Sequence, residues 1–111
     1  MQSKIVLNKK VEKVACELRD ELKKSLKEFK GLYVYGSQAR GNYNKYSDID
    51  IVVIIDTKNV WDKKNDIIWN KANLLGYKHN VFIDLQPYTR KELERNYIYC
   101  CEVVDKGVFY N

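Results

Sequence analysis

The 111-residue chain contains one proline, five glycines, one histidine and three cysteines. With so few chain breakers there is no Pro/Gly-rich linker, and neither repeats nor low-complexity tracts occur. That economy argues for one domain over residues 1–111, large enough for a single core. No apolar run approaches the roughly 20 residues that a membrane-crossing helix needs. The first residues alternate charge and lack the apolar segment of a signal peptide. No membrane partner is therefore expected. Cys16, Cys100 and Cys101 form no C-x-x-C pair, and His79 is the one imidazole, which argues against a zinc site. An odd count that includes adjacent Cys100 and Cys101 argues against a disulfide framework. The three read as small buried or half-buried hydrophobes of a reducing, cytoplasmic compartment. His79, beside Asn80, reads as a surface residue in a turn.

Charge and aromatics are what the chain has in abundance. Its net charge is +5, and residues 1–30 hold most of the excess, with nine Lys/Arg against five Asp/Glu. These basic residues alternate with acids at helical spacing, the pattern of a solvated helix face. That spacing counts against the alternative, a face that attracts RNA or an acidic partner, so direct nucleic-acid binding is not expected. Nine tyrosines could build a stacking surface. Tyr33, Tyr35, Tyr97 and Tyr99 lie in apolar runs, however, and read as core.

Periodicity lays out the elements. Asn8 can cap a helix running to about residue 30, with Val11, Val14, Ala15, Leu18, Leu22, Leu26 and Phe29 as its buried stripe. Gly31 is expected to stop it. Residues 32–35 read as a first strand, residues 38–40 as the start of a short helix, and residues 42–47 as a polar loop. Residues 48–56 read as a second, central strand. There Ile49, Ile51, Val53 and Ile55 share one face, and Val52 and Ile54 follow two aspartates on the other. Residues 60–75 suggest a helix ending before Gly76, carrying Trp61, Ile67, Ile68, Ala72 and Leu75. Residues 82–85 suggest a third strand that ends before Pro87. Thr89-Arg90-Lys91-Glu92 is a capping-box pattern opening a last helix through Leu93, Tyr97 and Cys100 or Cys101. Residues 108–110 suggest a closing strand. The expected fold class is α/β (α+β), a small mixed sheet of three or four strands with helices packed against it.

Residues 36–50, GSQARGNYNKYSDID, carry the most chemistry. Gly36 and Ser37 make a tight turn after the first strand, and ten residues separate Ser37 from Asp48, which stands two before Asp50. In a strand, residues two apart face the same way, so both carboxylates aim at one spot. Adjacent like charges repel unless a cation lies between them. A hard divalent ion such as Mg²⁺ is bound through one or two carboxylates plus substrate phosphates. The turn suits the phosphates themselves. Gly36 admits close backbone approach, Ser37 offers a hydroxyl near a helix N-terminus, and Arg40 offers a planar fork. Taken alone, Gly36-Ser37 is an ordinary loop and Asp48-x-Asp50 an ordinary solvated strand start; their order and spacing together favour a metal–nucleotide site. Asp84 interrupts the apolar run around Ile83 and Leu85 and is expected on the opposite face. On a strand next to Asp48 and Asp50 it would be a third carboxylate of the same site.

The set Gly36-Ser37, Arg40-Gly41, Ser47-Asp48-Ile49-Asp50 and a later Asp84 resembles the nucleotidyltransferase superfamily that includes DNA polymerase β and kanamycin nucleotidyltransferase. Its smallest branch, the minimal nucleotidyltransferase (MNT) domains, is the nearest in pattern. The segment from Glu102 to Tyr110 also looks like that family's last helix and short strand. The resemblance implies the nucleotidyltransferase fold and transfer of a nucleoside monophosphate, usually AMP from ATP, to a hydroxyl with release of pyrophosphate. It implies that Asp48 and Asp50 hold two Mg²⁺ ions and that Asp84 binds the one activating the acceptor. It further implies that Gly36 and Ser37 hold the β/γ-phosphates, with Arg40 helping to neutralise them. MNT proteins are commonly encoded beside a HEPN-domain protein. In characterised pairs the MNT member is an antitoxin that adenylylates a tyrosine of the HEPN ribonuclease toxin. The family thus implies a HEPN partner here. With no room for acceptor-binding domains, specificity would come from that partner or from a second copy of the chain. Two alternatives stay open: a binding-only antitoxin that neutralises by contact, and a small-molecule, antibiotic-type nucleotidyltransferase.

Overall fold

The computed structural model describes residues 8–36, 48–58 and 64–111. Helix α1 (Lys9–Ser25) opens as its cap predicts, with the Lys10 backbone N–H donating to Asn8 Oδ1 at 2.8 Å. Its stripe of Val11, Val14, Ala15, Leu18 and Leu22 is buried. The helix ends at Ser25, however, and strand β1 (Phe29–Tyr35) begins before Gly31 rather than after it. Phe29 is buried as expected, but on a strand. Burial every third or fourth residue fits a helix, yet one isolated apolar residue past its end fits a strand equally well. Gly31 is a bulge in β1 at φ 138°, where a side chain would run into the Phe109 ring.

Strand β2 (Ile49–Ile55) pairs antiparallel with β1 and parallel with β3 (Ile83–Tyr88), and β4 (Val108–Tyr110) pairs antiparallel with β1. The result is one mixed four-stranded sheet in the order β3-β2-β1-β4. Pro87 lies within β3, opposite Val53, and not beyond its end. Because β3 is an edge strand, a residue without an N–H fits there. The parallel β2–β3 step is bridged by α2 (Asn65–His79). Gly76 sits inside α2, which runs on to His79; residues 60–63 of the expected helix lie outside the described residues. The true stop is Asn80 in the left-handed region (φ 54°), with Val81 N–H donating to Gly76 O at 2.9 Å and Asn80 N–H to Tyr77 O at 3.3 Å. Any side chain at Gly76 would press on the Val81 carbonyl, so this glycine serves the return of the chain rather than the end of the helix.

The sheet separates two apolar layers. On one face Leu32, Val34, Ile49, Ile51, Val53, Ile55, Ile83 and Leu85 pack with the stripes of α1 and α2. Each large side chain fully buried there contributes about 1.5–3 kcal/mol. Lys71–Glu21 (3.3 Å) and His79–Glu17 (2.9 Å) clasp the two helices. His79 is therefore a largely buried helix residue and not the surface turn residue expected. On the other face Tyr33, Val52 and Ile54 meet Leu93 and Val103. The capping box forms, with Glu92 N–H to Thr89 Oγ1 at 3.2 Å and Thr89 N–H to Glu92 Oε1 at 2.9 Å. The single last helix expected is instead three pieces: α3 (Arg90–Arg95), the one-turn α4 (Tyr97–Cys100), and a π-helical turn Cys101–Asp105. Asn96 leaves helical geometry and recaps α4, its Oδ1 accepting from Tyr99 N–H at 3.2 Å. That break turns Tyr97 outward to 77% exposure, so Tyr97 is not core. Cys16, Cys100 and Cys101 are half-buried free thiols. Among the described residues no helix is long and apolar enough to cross a membrane.

Candidate active site

Strand alternation and register build the site. In β2 the odd positions enter the α1–α2 core, which turns Asp50 to the other face. In β3 the same alternation buries Ile83 and Leu85 and leaves Asp84 half-buried opposite them. Parallel pairing sets Asp50 directly beside Asp84, and antiparallel pairing sets Tyr35 beside Asp50 on the other flank. Tyr35, Asp50 and Asp84 thus form one row across three strands. Asp48 is exposed one residue before β2, where the Ile49 N–H donates to Phe82 O at 2.9 Å and marks the mouth of the sheet.

Gly36 joins this row from the end of β1. Its φ of 75° is in the left-handed region, and a Cβ there would run into Asp50 Oδ2. Gly36 and Asp50, separated in sequence, are thus brought together. Ser37, Arg40 and Gly41, the short helix from 38 and the loop over 42–47 lie outside the described residues.

Two carboxylates in adjacent register repel each other, and a cation shared between them would relieve that repulsion. Their hard oxygen donors suit Mg²⁺ rather than a thiophilic metal. Among the described residues no three carboxylate, imidazole or thiol groups draw together into a ready-made cage. Asp48, Asp50 and Asp84 therefore do not form a metal cage by themselves.

The inner wall of the site is phenolic. Tyr35 and Tyr99 hydroxyls are 2.6 Å apart, and their rings meet edge-on at 5.7 Å; Tyr99 also meets Tyr88 edge-on at 5.8 Å. Burial pushes the Tyr35 hydroxyl above its ordinary pKa. The Asp50 and Asp84 charges push it further, and the bond from Tyr99 only partly offsets this. Burial likewise raises Tyr99, helped by its bond with Tyr35. Both phenols therefore stay neutral hydrogen-bonding groups. Sequence reading placed Tyr35 and Tyr99 in the core without assigning them to the site. Tyr35 was identifiable, since it directly precedes Gly36 and shares the alternation of Asp50; Tyr99 carried no such signal.

The nucleotidyltransferase domain family's sequence pattern matches residues 15–109. A Methanocaldococcus jannaschii protein named as a protein adenylyltransferase is 31% identical over 98 residues, covering 78% of this chain and 98% of that protein. A crystallised toxin–antitoxin with AMP-PNP superposes on 88% of this chain and 70% of its own chain, at 25% identity and TM-score 0.59. A Shewanella oneidensis complex, tri-AMPylated HEPN toxin with MNT antitoxin, superposes on 89% of this chain and 70% of its own chain; its 22% identity and TM-score 0.56 show a shared fold.

Proposed function

This chain belongs to the nucleotidyltransferase domain family, and from that membership we propose that it is a Mg²⁺-dependent protein adenylyltransferase. Its reaction moves AMP from ATP to a tyrosine hydroxyl of a HEPN-type toxin, and the chain so acts as a cytoplasmic antitoxin. The observation that carries this reading is the Asp50–Asp84 pair with the Gly36 turn seated against Asp50. The name of the M. jannaschii relative, the AMP-PNP of one structural neighbour and the AMPylated HEPN toxin of another support the acceptor and the nucleotide.

In this reading the Gly36 backbone and Ser37 hold the β/γ-phosphates, and Arg40 helps to neutralise the same charge. Asp48, Asp50 and Asp84 would hold Mg²⁺, which would supply charge neutralisation of the attacking and leaving oxygens. Asp84 takes the proton of the acceptor hydroxyl as its oxygen bonds to the α-phosphorus. The bond from that phosphorus to the β-phosphate oxygen breaks, and pyrophosphate leaves. Catalysis on this site is orientation and charge stabilisation.

The test is incubation with ATP, Mg²⁺ and the product of the neighbouring gene, followed by intact mass of both chains. One or more AMP additions to the neighbour, abolished by Asp48→Asn/Asp50→Asn, is the expected result. Undiminished transfer by that double variant would overturn the site. A stable complex without any mass change would favour neutralisation by contact.

A further inference from the structure

β1 ends under unequal restraint. β4 pairs with β1 only at Leu32, Tyr33 and Val34, so it does not reach Tyr35. On the other side β2 holds Tyr35 through its pairing with Asp50. From above, Tyr35 packs against the second apolar layer and its hydroxyl bonds that of Tyr99 at 2.6 Å, a contact spanning 64 positions of sequence. Directly after Tyr35 comes Gly36, the residue seated against Asp50 Oδ2. Packing alone does not require that bond. Two phenylalanines would fill the same layer, and replacing both partners of a buried hydrogen bond by apolar groups is nearly neutral for stability. The chain nevertheless keeps a polar pair here, beside its two carboxylates, and breaks its last helix at Asn96 in a way that orients Tyr99.

We propose that Tyr99 is a positioning residue for nucleotide transfer: acting through Tyr35, it holds the end of β1, and with it the Gly36 turn, against the Asp50 carboxylate. This rests on the reading of the Asp50–Asp84 row as the transfer site. In this role Tyr99 fixes the strand end that carries the phosphate-binding turn. The same logic gives α4 its place in the fold, since a continuous helix from Arg90 would not carry the Asn96 break that sets Tyr99 in register.

The experiment uses the whole chain and Mg²⁺·AMP-PNP as probe, with binding by calorimetry and ¹³Cζ-tyrosine NMR beside thermal melts. Tyr99→Phe is expected to weaken binding about fivefold, the scale of one neutral hydrogen bond. Tyr99→4-aminophenylalanine, which restores a hydrogen-bonding group at that position, is expected to recover the wild-type affinity. The Tyr35 resonance, assigned with Tyr35→Phe, is expected to move on ligand addition in wild type. Equal binding by Tyr99→Phe and wild type, or failure of the amino variant to restore a folded protein's affinity, overturns the inference. Asp48→Asn/Asp50→Asn separates the two claims. If that variant loses the ligand while Tyr99→Phe keeps it, the positioning role alone fails. If it binds as well as wild type, or if wild type does not bind, the transfer-site reading fails and this inference falls with it.

Discussion

A Gly36→Ala substitution would put a methyl group where the Asp50 carboxylate stands. Two costs follow. At φ 75° an alanine is strained by about 1–2 kcal/mol relative to the right-handed region. The lower entropy of the unfolded alanine chain offsets about 0.4–1 kcal/mol of that. A net loss on the order of 1 kcal/mol corresponds to a Tm fall of about 4 °C in a domain of this size. The second cost is geometric: either the turn or the carboxylate must move by a distance on the order of 1 Å, which at a reacting centre costs about 100-fold in rate. The two magnitudes separate the causes. A loss near 1 kcal/mol leaves almost all molecules folded, so it cannot by itself produce a large fall in transfer. The assay is a thermal melt of the free protein beside the initial rate of AMP addition to the partner at saturating ATP. A lowered Tm with an unchanged rate would refute the idea that the Gly36–Asp50 contact sets the site. An unchanged Tm would refute the strain argument itself.

Three further outcomes test the framework. Asp84→Asn should abolish transfer yet leave Tm unchanged or raised in Mg²⁺-free buffer, because it removes one of two like charges in adjacent register; a lowered Tm would contradict that electrostatic account. Thr89→Ala removes a buried cap and half of the capping box, so it should cost about 1 kcal/mol in urea denaturation. The bond from His79 holds the Glu17 carboxyl below its ordinary pKa, with Lys78 adding to the effect. The helix clasp should therefore stabilise fully above the ordinary glutamate value of about 4.3 and weaken as pH falls through the lower folded-state value. Stability of Glu17→Gln across acid pH should lack that part of the dependence.

Different kinds of information reside in the sequence and in the tertiary structure. Local rules were sufficient for the Asn8 cap, the α1 stripe, the Thr89–Glu92 box and the two-faced β2, because each depends on residues within one or two turns or on period-two alternation. The motif GSQARGNYNKYSDID likewise points to the family by local sequence alone. Boundaries were less legible. Gly31 and Gly76 read as stops, yet one is a bulge beside Phe109 and the other a helical residue crowded by the Val81 carbonyl. Their meaning is set by atoms distant in sequence. Tyr97 and Tyr99 were indistinguishable by pattern until the Asn96 break sent one into solvent and the other onto Tyr35. Most of all, alternation could turn Asp84 away from the α1–α2 core but could not choose its neighbour. Only the closure of β3 onto β2 put it beside Asp50, because register between strands is a long-range choice made when the whole apolar face is buried at once.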